Sequence, residues 1–156
     1  MASNRHLGRI IALQTLFEQD FHESIDDKKF NLDAVLERNI SRYEATVDDK
    51  AFIKRLVKGV VKHRDDLDKA LQPLAPDWPI AQIARMDRVV LRMGMYELTY
   101  ESDVPAKVVI NEAVELGKSF GNDNSSKFVN GVLGTALRHR TEDADKSTAS
   151  DNIVEK

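Results

Sequence analysis

Hydrophobic residues recur along nearly every long segment at the 3.6-residue spacing of an α-helix, and no segment alternates as a strand does. Capping residues, prolines and glycines divide the pattern into helices. Seven are predicted, at about 3–21, 31–43, 48–71, 77–86, 87–100, 105–121 and 124–138. Short connections between helices of this length predict an all-α domain or two packed bundles.

The first helix is apolar around most of its girth, which predicts a central position. At about 100° per residue, one face carries Leu7, Ile10, Gln14, Phe17 and Phe21. Leu13 and Leu16 lie well away from that face. At the start of the helix Arg5, His6 and Arg9 fall together on a different side, and we expect them to form an exposed basic cluster.

The last helix contains glycines that a helix should avoid. Its core stripe is Val129, Val132, Leu133, Ala136 and Leu137, whereas a second stripe is Lys127, Gly131, Gly134 and Arg138. Each interior glycine costs about 1 kcal/mol relative to alanine. A face without side chains lets another backbone approach, so the second stripe predicts either a helix–helix seam or a ligand-facing surface.

The loop before this helix favours the ligand. In "FGNDNSSKF", Phe120 and Phe128 flank a helix start whose free N–H groups attract anions. Lys118 and Lys127 lie beside the two rings. Aromatic rings next to cations suit unpaired, stacked nucleic-acid bases.

Composition limits the alternatives. The 156-residue chain has a formal net charge of −3, no cysteine and no apolar run long enough to cross a membrane, so we expect a cytoplasmic protein. From Thr141 onward there are five acidic residues and two basic ones, which leaves 21 of each in residues 1–140. Residues 141–156 are polar and acidic, and we predict that they are disordered. A neutral body can still carry a local basic patch.

Two short segments resemble catalytic motifs but lack residues that those motifs require. "GKS" at 117–119 lacks the upstream glycine of a phosphate-binding loop, and "HRD" at 63–65 lacks the following asparagine of a kinase loop. The four histidines (His6, His22, His63, His139) are scattered, without metal-ligand spacing. We therefore expect neither catalysis, nor a metal, nor a cofactor.

The segments "DVPAKVVINEAVELGKSFG" and "SSKFVNGVLG" closely resemble the C-terminal half of the bacterial NusB family. "LRMGMYEL" and "RIIALQTLFEQDF" fit the same family, and the resemblance covers about residues 5–138. It implies one all-helical domain over 1–140, with an N-terminal bundle at about 3–72 packed across a C-terminal bundle at about 78–139. It also implies a transcription antitermination factor that binds boxA-type single-stranded RNA jointly with ribosomal protein NusE, within the RNA polymerase antitermination complex, notably on ribosomal RNA operons.

Carried over by position, the resemblance implies two parts of an RNA surface. The first is the basic cluster with Phe17 as its aromatic partner; the second is Lys118, Phe120, Asn124, Lys127 and Phe128. From the glycine stripe, Gly131 is added to the candidate RNA-binding residues. Asp87, Arg88 and Arg92 are implied at the NusE-facing helix. The basic start is thin, because Leu7 stands where relatives often have arginine. Asn124, where relatives often have an acidic residue, removes a repulsion from phosphate.

Two other functions remain open from the sequence. One is a stand-alone RNA-binding module acting in ribosomal RNA modification, since NusB-like domains also precede some ribosomal RNA methyltransferases. The other is a helical protein-interaction adaptor or homodimer that uses the glycine stripe as its seam and does not bind RNA directly.

Overall fold

The structure is a computed structural model that describes the backbone of residues 2–154 and the side chains of residues 5–141. It contains only helices and loops over that range, as predicted. The helices are α1 (Ala2–Ser24), α2 (Leu32–Ser41), α3 (Lys50–Lys62), α4 (Arg64–Leu71), α5 (Arg85–Tyr100), α6 (Ala106–Phe120) and α7 (Ser125–Val154). Single 3₁₀ turns lie at Gln72–Leu74 and Ile80–Gln82. Within residues 2–154, no helix is both long and apolar enough to cross a bilayer.

Two of the predicted helices are divided or shortened in the structure. The helix expected at 48–71 is broken at His63 (φ −101°, ψ 13°) into α3 and α4. Asp65 and Asp66 occupy the first turn of α4, where carboxylates favour a new helix start. The short helix expected at 77–86 is reduced to the 3₁₀ turn, because Pro79 and Ala84 both adopt extended ψ angles of 137°.

Side-chain capping explains two helix starts. The Asn31 side chain accepts a hydrogen bond from the amide of Ala34, and Asp49 accepts one from the amide of Phe52. The last helix begins at Ser125, as expected, but extends past Arg138 to Val154. The side chains of 142–156 lie outside the described residues, and both the disorder of 141–156 and the division into two bundles stay predictions.

Helix α5 is the central element of the fold. It packs against α1, α3 and α4 on one side and against α6 and α7 on the other. Eleven of its sixteen residues are buried, including the charged Asp87, Arg92 and Glu97. The core therefore runs continuously through the middle of the molecule, and the surface of interest lies where the start of α5 meets the start of α7.

The buried side of α1 is not the one expected. Ile11, Ala12, Leu13 and Leu16 are at most 2% exposed, whereas Phe21, on the predicted apolar face, is 43% exposed. Gln14 and Phe17 on that face are only partly buried. Hydrophobic periodicity misplaced the face because two charged residues, Arg9 and Asp20, belong to the buried side of the helix.

Candidate nucleic-acid interface

The loop between α6 and α7 is held tightly against both helices. A Cβ at Gly121 would lie 2.3 Å from the Ser125 hydroxyl and 2.7 Å from the Gly117 carbonyl oxygen, so glycine is required there for a close approach. The buried Ser125 hydroxyl accepts a hydrogen bond from the Asn122 amide at 2.9 Å. The Asn122 side chain in turn accepts one from the Asn124 amide at 2.8 Å. These contacts fix the loop that precedes α7.

Two adjacent grooves lie beside this loop and share the side chains of Trp78 and Phe128. The larger groove, of about 410 Å³, lies between the start of α5 and the loop. Its lining is Trp78, Gln82, Ile83, Ala84, Asp87, Asn122, Asn124 and Phe128. The smaller groove, of about 300 Å³, follows the first turns of α7. It is lined by residues 74–78, Lys127, Phe128, Gly131 and Val132. We call the two together the α7 grooves.

Most residues predicted in the second part of the RNA surface do lie near the α7 grooves or the loop. Lys118, Asn124 and Lys127 are exposed, and Phe120 is 44% exposed. Phe128 is half-buried, with part of its ring packed on the core. Asn124, Lys127 and Phe128 line the α7 grooves, where they provide an amide, a cation and an accessible ring, whereas Lys118 and Phe120 line neither groove.

Within the part of the chain that the structure describes, the glycines of α7 do not form a seam with another helix. Among those residues, a Cβ added at Gly131 would meet nothing within 4 Å, and one at Gly134 would meet only the end of the Arg138 side chain at 3.9 Å. The α7 face is therefore open along Gly131. Of the two uses predicted for the stripe, packing against another described helix is excluded at Gly131, and a surface for a ligand or another molecule remains.

Asp87 does not occupy the outward, partner-facing position expected of it. It is 7% exposed, and its Oδ1 atom is buried without a hydrogen-bond partner among the described residues. Its side chain lines the larger α7 groove together with Asn124 and Phe128. A buried carboxylate oxygen without a partner carries a desolvation cost.

The first part of the predicted surface is only partly exposed. Arg5 is half-buried, donates to Asp49 at 3.3 Å, and lies 4.4 Å from the centre of the Phe52 ring. The His6 side chain is 44% exposed, with its Nδ1 atom 2.7 Å from the Glu112 carboxylate. Both residues can still reach solvent, but each already has an acidic neighbour.

Arg9 is buried, so the expectation that it belongs to an exposed basic cluster is wrong. Its side chain is 3% exposed and donates two hydrogen bonds to Glu97, at 2.9 and 2.7 Å. Burial alone would lower the pKa of Arg9, but the hydrogen bonds and charge of Glu97 outweigh it and raise the pKa. The pair joins α1 to α5 and leaves no free donor fork for a phosphate.

A second ion-pair network joins the same two helices at their other ends. Asp20 accepts hydrogen bonds from Arg85, Arg88 and Arg92, at 2.8, 2.8 and 3.2 Å. Arg92 also makes a bidentate pair with Asp68. Burial alone would raise the pKa of Asp20, but the Arg88 and Arg85 hydrogen bonds hold it below its usual value.

Two of the three α5 residues expected at a partner surface are buried. Arg92 is 8% exposed and Asp87 is 7% exposed, so both face inward, and the Arg88 side chain is 14% exposed. The sequence did not reveal the pairing, because Asp20 lies 65 to 72 residues away from its three partners. Phe17 also contacts this region, with the Arg85 guanidinium 5.8 Å from its ring centre.

Sequence reasoning missed Trp78 altogether. The segment around it was interpreted as a helix, whereas the structure makes it a loop with the Trp78 side chain in both α7 grooves. A tryptophan one residue before Pro79 is a signal for a non-helical position, since proline disfavours the helical conformation of the preceding residue.

Comparison with known proteins agrees with the resemblance found in the sequence. The sequence profile of the NusB family matches residues 6–138, which is most of the chain. The chain belongs to the NusB family. Its relatives named transcription antitermination protein NusB include one from Chloroflexus aggregans, 45% identical over 139 residues, which are 88% of this chain and 89% of the relative. Another, from Dehalococcoides mccartyi strain CBDB1, is 41% identical over 94% of this chain and 98% of the relative.

Solved structures share the NusB fold. The structure of T. maritima NusB superposes with a TM-score of 0.74 at 31% identity, covering 84% of this chain and 88% of that one. A structure described as antitermination factors NusB and NusE in complex with dsRNA superposes with a TM-score of 0.76. At 23% identity, over 89% of this chain and 99% of that one, it shows the fold only.

Proposed function

We propose that this chain is a transcription antitermination factor of the bacterial cytoplasm that binds unpaired boxA-type RNA and supports ribosomal RNA transcription. Ribosomal protein NusE is the expected co-binder within the RNA polymerase antitermination complex, and no catalytic step is assigned to the chain. The observation that carries the proposal is the pair of α7 grooves, where Phe128, Lys127 and Asn124 meet beside a fixed helix start.

The chemistry of these grooves fits single-stranded RNA better than a duplex. The Phe128 ring offers a face on which an unpaired base can stack, a contact that any base can make. Lys127 is exposed on the first turn of α7, next to the smaller groove, where it can neutralise a phosphate. The open surface at Gly131 allows a sugar–phosphate backbone to approach α7 closely.

The N-terminal basic cluster contributes less than the resemblance implied. With Arg9 committed to Glu97, only Arg5 and His6 remain near the surface. We therefore assign most of the phosphate contacts to Lys118 and Lys127. Among the three α5 residues expected at the NusE surface, Arg88 is the most exposed by side chain, and we assign the contact to it rather than to Asp87 or Arg92.

The experiment that tests the RNA surface is a titration of a fluorescently labelled boxA-type single strand, followed by anisotropy. Phe128→Leu removes the ring but keeps an apolar side chain where Phe128 packs on the core. Since stacking is worth about 1–3 kcal/mol per base, affinity should fall by roughly 5- to 150-fold while the thermal midpoint changes little. Phe30→Leu, at a half-buried phenylalanine stacked on His22, is the matched control and should bind like wild type.

A competing function, a protein adaptor or homodimer without direct RNA binding, is favoured by a different surface. An apolar groove of about 230 Å³ lies between α5 and α7, lined by Leu74, Met95, Leu98 and Leu137 among others. A sizing column run with and without RNA separates the two functions. An RNA-independent dimer that gives no shift with RNA would support the adaptor and contradict RNA binding.

A further inference from the structure

The Trp78 side chain is unusually exposed for a large aromatic residue. It is the only tryptophan of the protein and is 57% exposed. A large aromatic side chain left in solvent forgoes the burial that would stabilise it, and such side chains concentrate at binding surfaces. Its exposure therefore calls for something that covers the indole.

The backbone of Trp78 is held in place rather than loosely exposed. The Gln72 side chain donates to the carbonyl oxygens of Trp78, at 2.9 Å, and of Ala75, at 3.3 Å. The same side chain accepts from the amide of Ile80 at 3.0 Å. The Trp78 amide donates to the Ala75 carbonyl at 3.1 Å. A residue ordered in advance loses less conformational entropy when it binds a ligand.

The position of Trp78 places the indole beside the surface already assigned to RNA. Trp78 and Phe128 are the two aromatic residues common to both α7 grooves. Asp87, whose Oδ1 atom is buried without a partner among the described residues, lines the larger groove, and Lys127 lines the smaller one. Two aromatic rings and a cation together match a nucleotide, whose base offers a flat face and whose phosphate is anionic.

We propose that Trp78 stacks on an unpaired RNA base next to the base that stacks on Phe128, so that the α7 grooves hold two consecutive nucleotides. This inference rests on the proposed function and adds a second stacking residue on a different element of the fold. The loop at 75–79 then becomes part of the RNA surface, and the surface spans from that loop to the first turn of α7.

The test compares Trp78→Leu and Trp78→Phe with wild type in the same anisotropy titration of labelled boxA-type single strand. Trp78→Leu keeps an apolar side chain but removes the ring, so affinity should fall by about 5- to 150-fold. Trp78→Phe retains a ring and should recover most of the loss. Tyr43→Leu is the control, because Tyr43 is 38% exposed and lines neither α7 groove. Thermal midpoints of the two Trp78 variants should match wild type, since the Trp78 side chain is more than half exposed.

Quenching of Trp78 fluorescence by the unlabelled RNA gives an independent readout, because no other tryptophan contributes. If the wild-type protein does not bind the RNA at all, the proposed function itself is contradicted. If the wild-type protein binds the RNA, Phe128→Leu weakens binding and Trp78→Leu does not, only the role of Trp78 is overturned. A Trp78 emission shift that depends on protein concentration without RNA would show that a second copy covers the indole, and would also overturn it.

Discussion

Substitutions in the Arg9–Glu97 pair can distinguish an effect on folding from an effect on RNA binding. Both side chains are 3% exposed and are joined by two hydrogen bonds of 2.9 and 2.7 Å. Arg9→Met leaves the Glu97 carboxylate buried and without its bidentate partner. Breaking a buried pair in this way costs about 3–5 kcal/mol, whereas replacing both members by apolar residues is often nearly neutral.

A double-mutant cycle measures this coupling. Arg9→Met and Glu97→Met should each lower the free energy of unfolding by about 3–5 kcal/mol in urea titrations, and the double variant should recover most of that loss. Glu112 lies 3.9 Å from Arg9, so Arg9 keeps a weak ion pair in the Glu97→Met variant. We therefore expect Glu97→Met to lose less stability than Arg9→Met.

The double variant also decides whether Arg9 touches RNA. A refolded core without Arg9 should bind boxA-type RNA with wild-type affinity and an unchanged salt dependence. If stability returns but RNA affinity falls and the log–log salt slope drops by about 0.7, Arg9 contacts a phosphate and the structural assignment is refuted. Small, additive losses from the two single variants would instead refute the strength assigned to the pair.

Three further predictions concern Asp20, the glycines of α7 and Lys127. The lowered pKa of Asp20 means that its stabilisation is present above its ordinary pKa of about 3.9 and is lost as pH falls below it. The stability gap between wild type and Asp20→Asn should therefore be widest near pH 7 and shrink toward about pH 3, as measured by urea unfolding. Gly131→Ala and Gly134→Ala should each stabilise α7, by up to about 1 kcal/mol in thermal unfolding, but only Gly131→Ala should weaken RNA binding. Lys127→Ala should reduce the salt slope of RNA binding by about 0.7, whereas Lys28→Ala in an exposed loop should not.

The sequence predicted the fold well where local chemistry decides it. The amide-capping side chains of Asn31 and Asp49 and the close approach at Gly121 are local signals, and the helices they bound were expected. It failed where distant residues decide. Arg9 and Asp20 appear polar and hence exposed, yet α5 supplies partners that allow both to be buried.

The residues of the proposed RNA surface likewise include some that the sequence pattern indicates and others that only the fold brings together. The exposed Lys127 and the half-buried Phe128 come from one short segment whose pattern is visible in the sequence. Asp87 and Trp78 join them in the α7 grooves only because the chain folds the loop at 75–79 and the start of α5 against α7. That arrangement depends on tertiary contacts, which no periodicity reports.

One measurement decides the proposed function: binding of boxA-type single-stranded RNA to the full chain, alone and with purified NusE, alongside a scrambled strand of equal length. We expect saturable binding that NusE tightens, a preference for the boxA-type strand, and loss of affinity in Phe128→Leu without a change in thermal midpoint. Equal binding of both strands that is unaffected by NusE and by Phe128→Leu would contradict it.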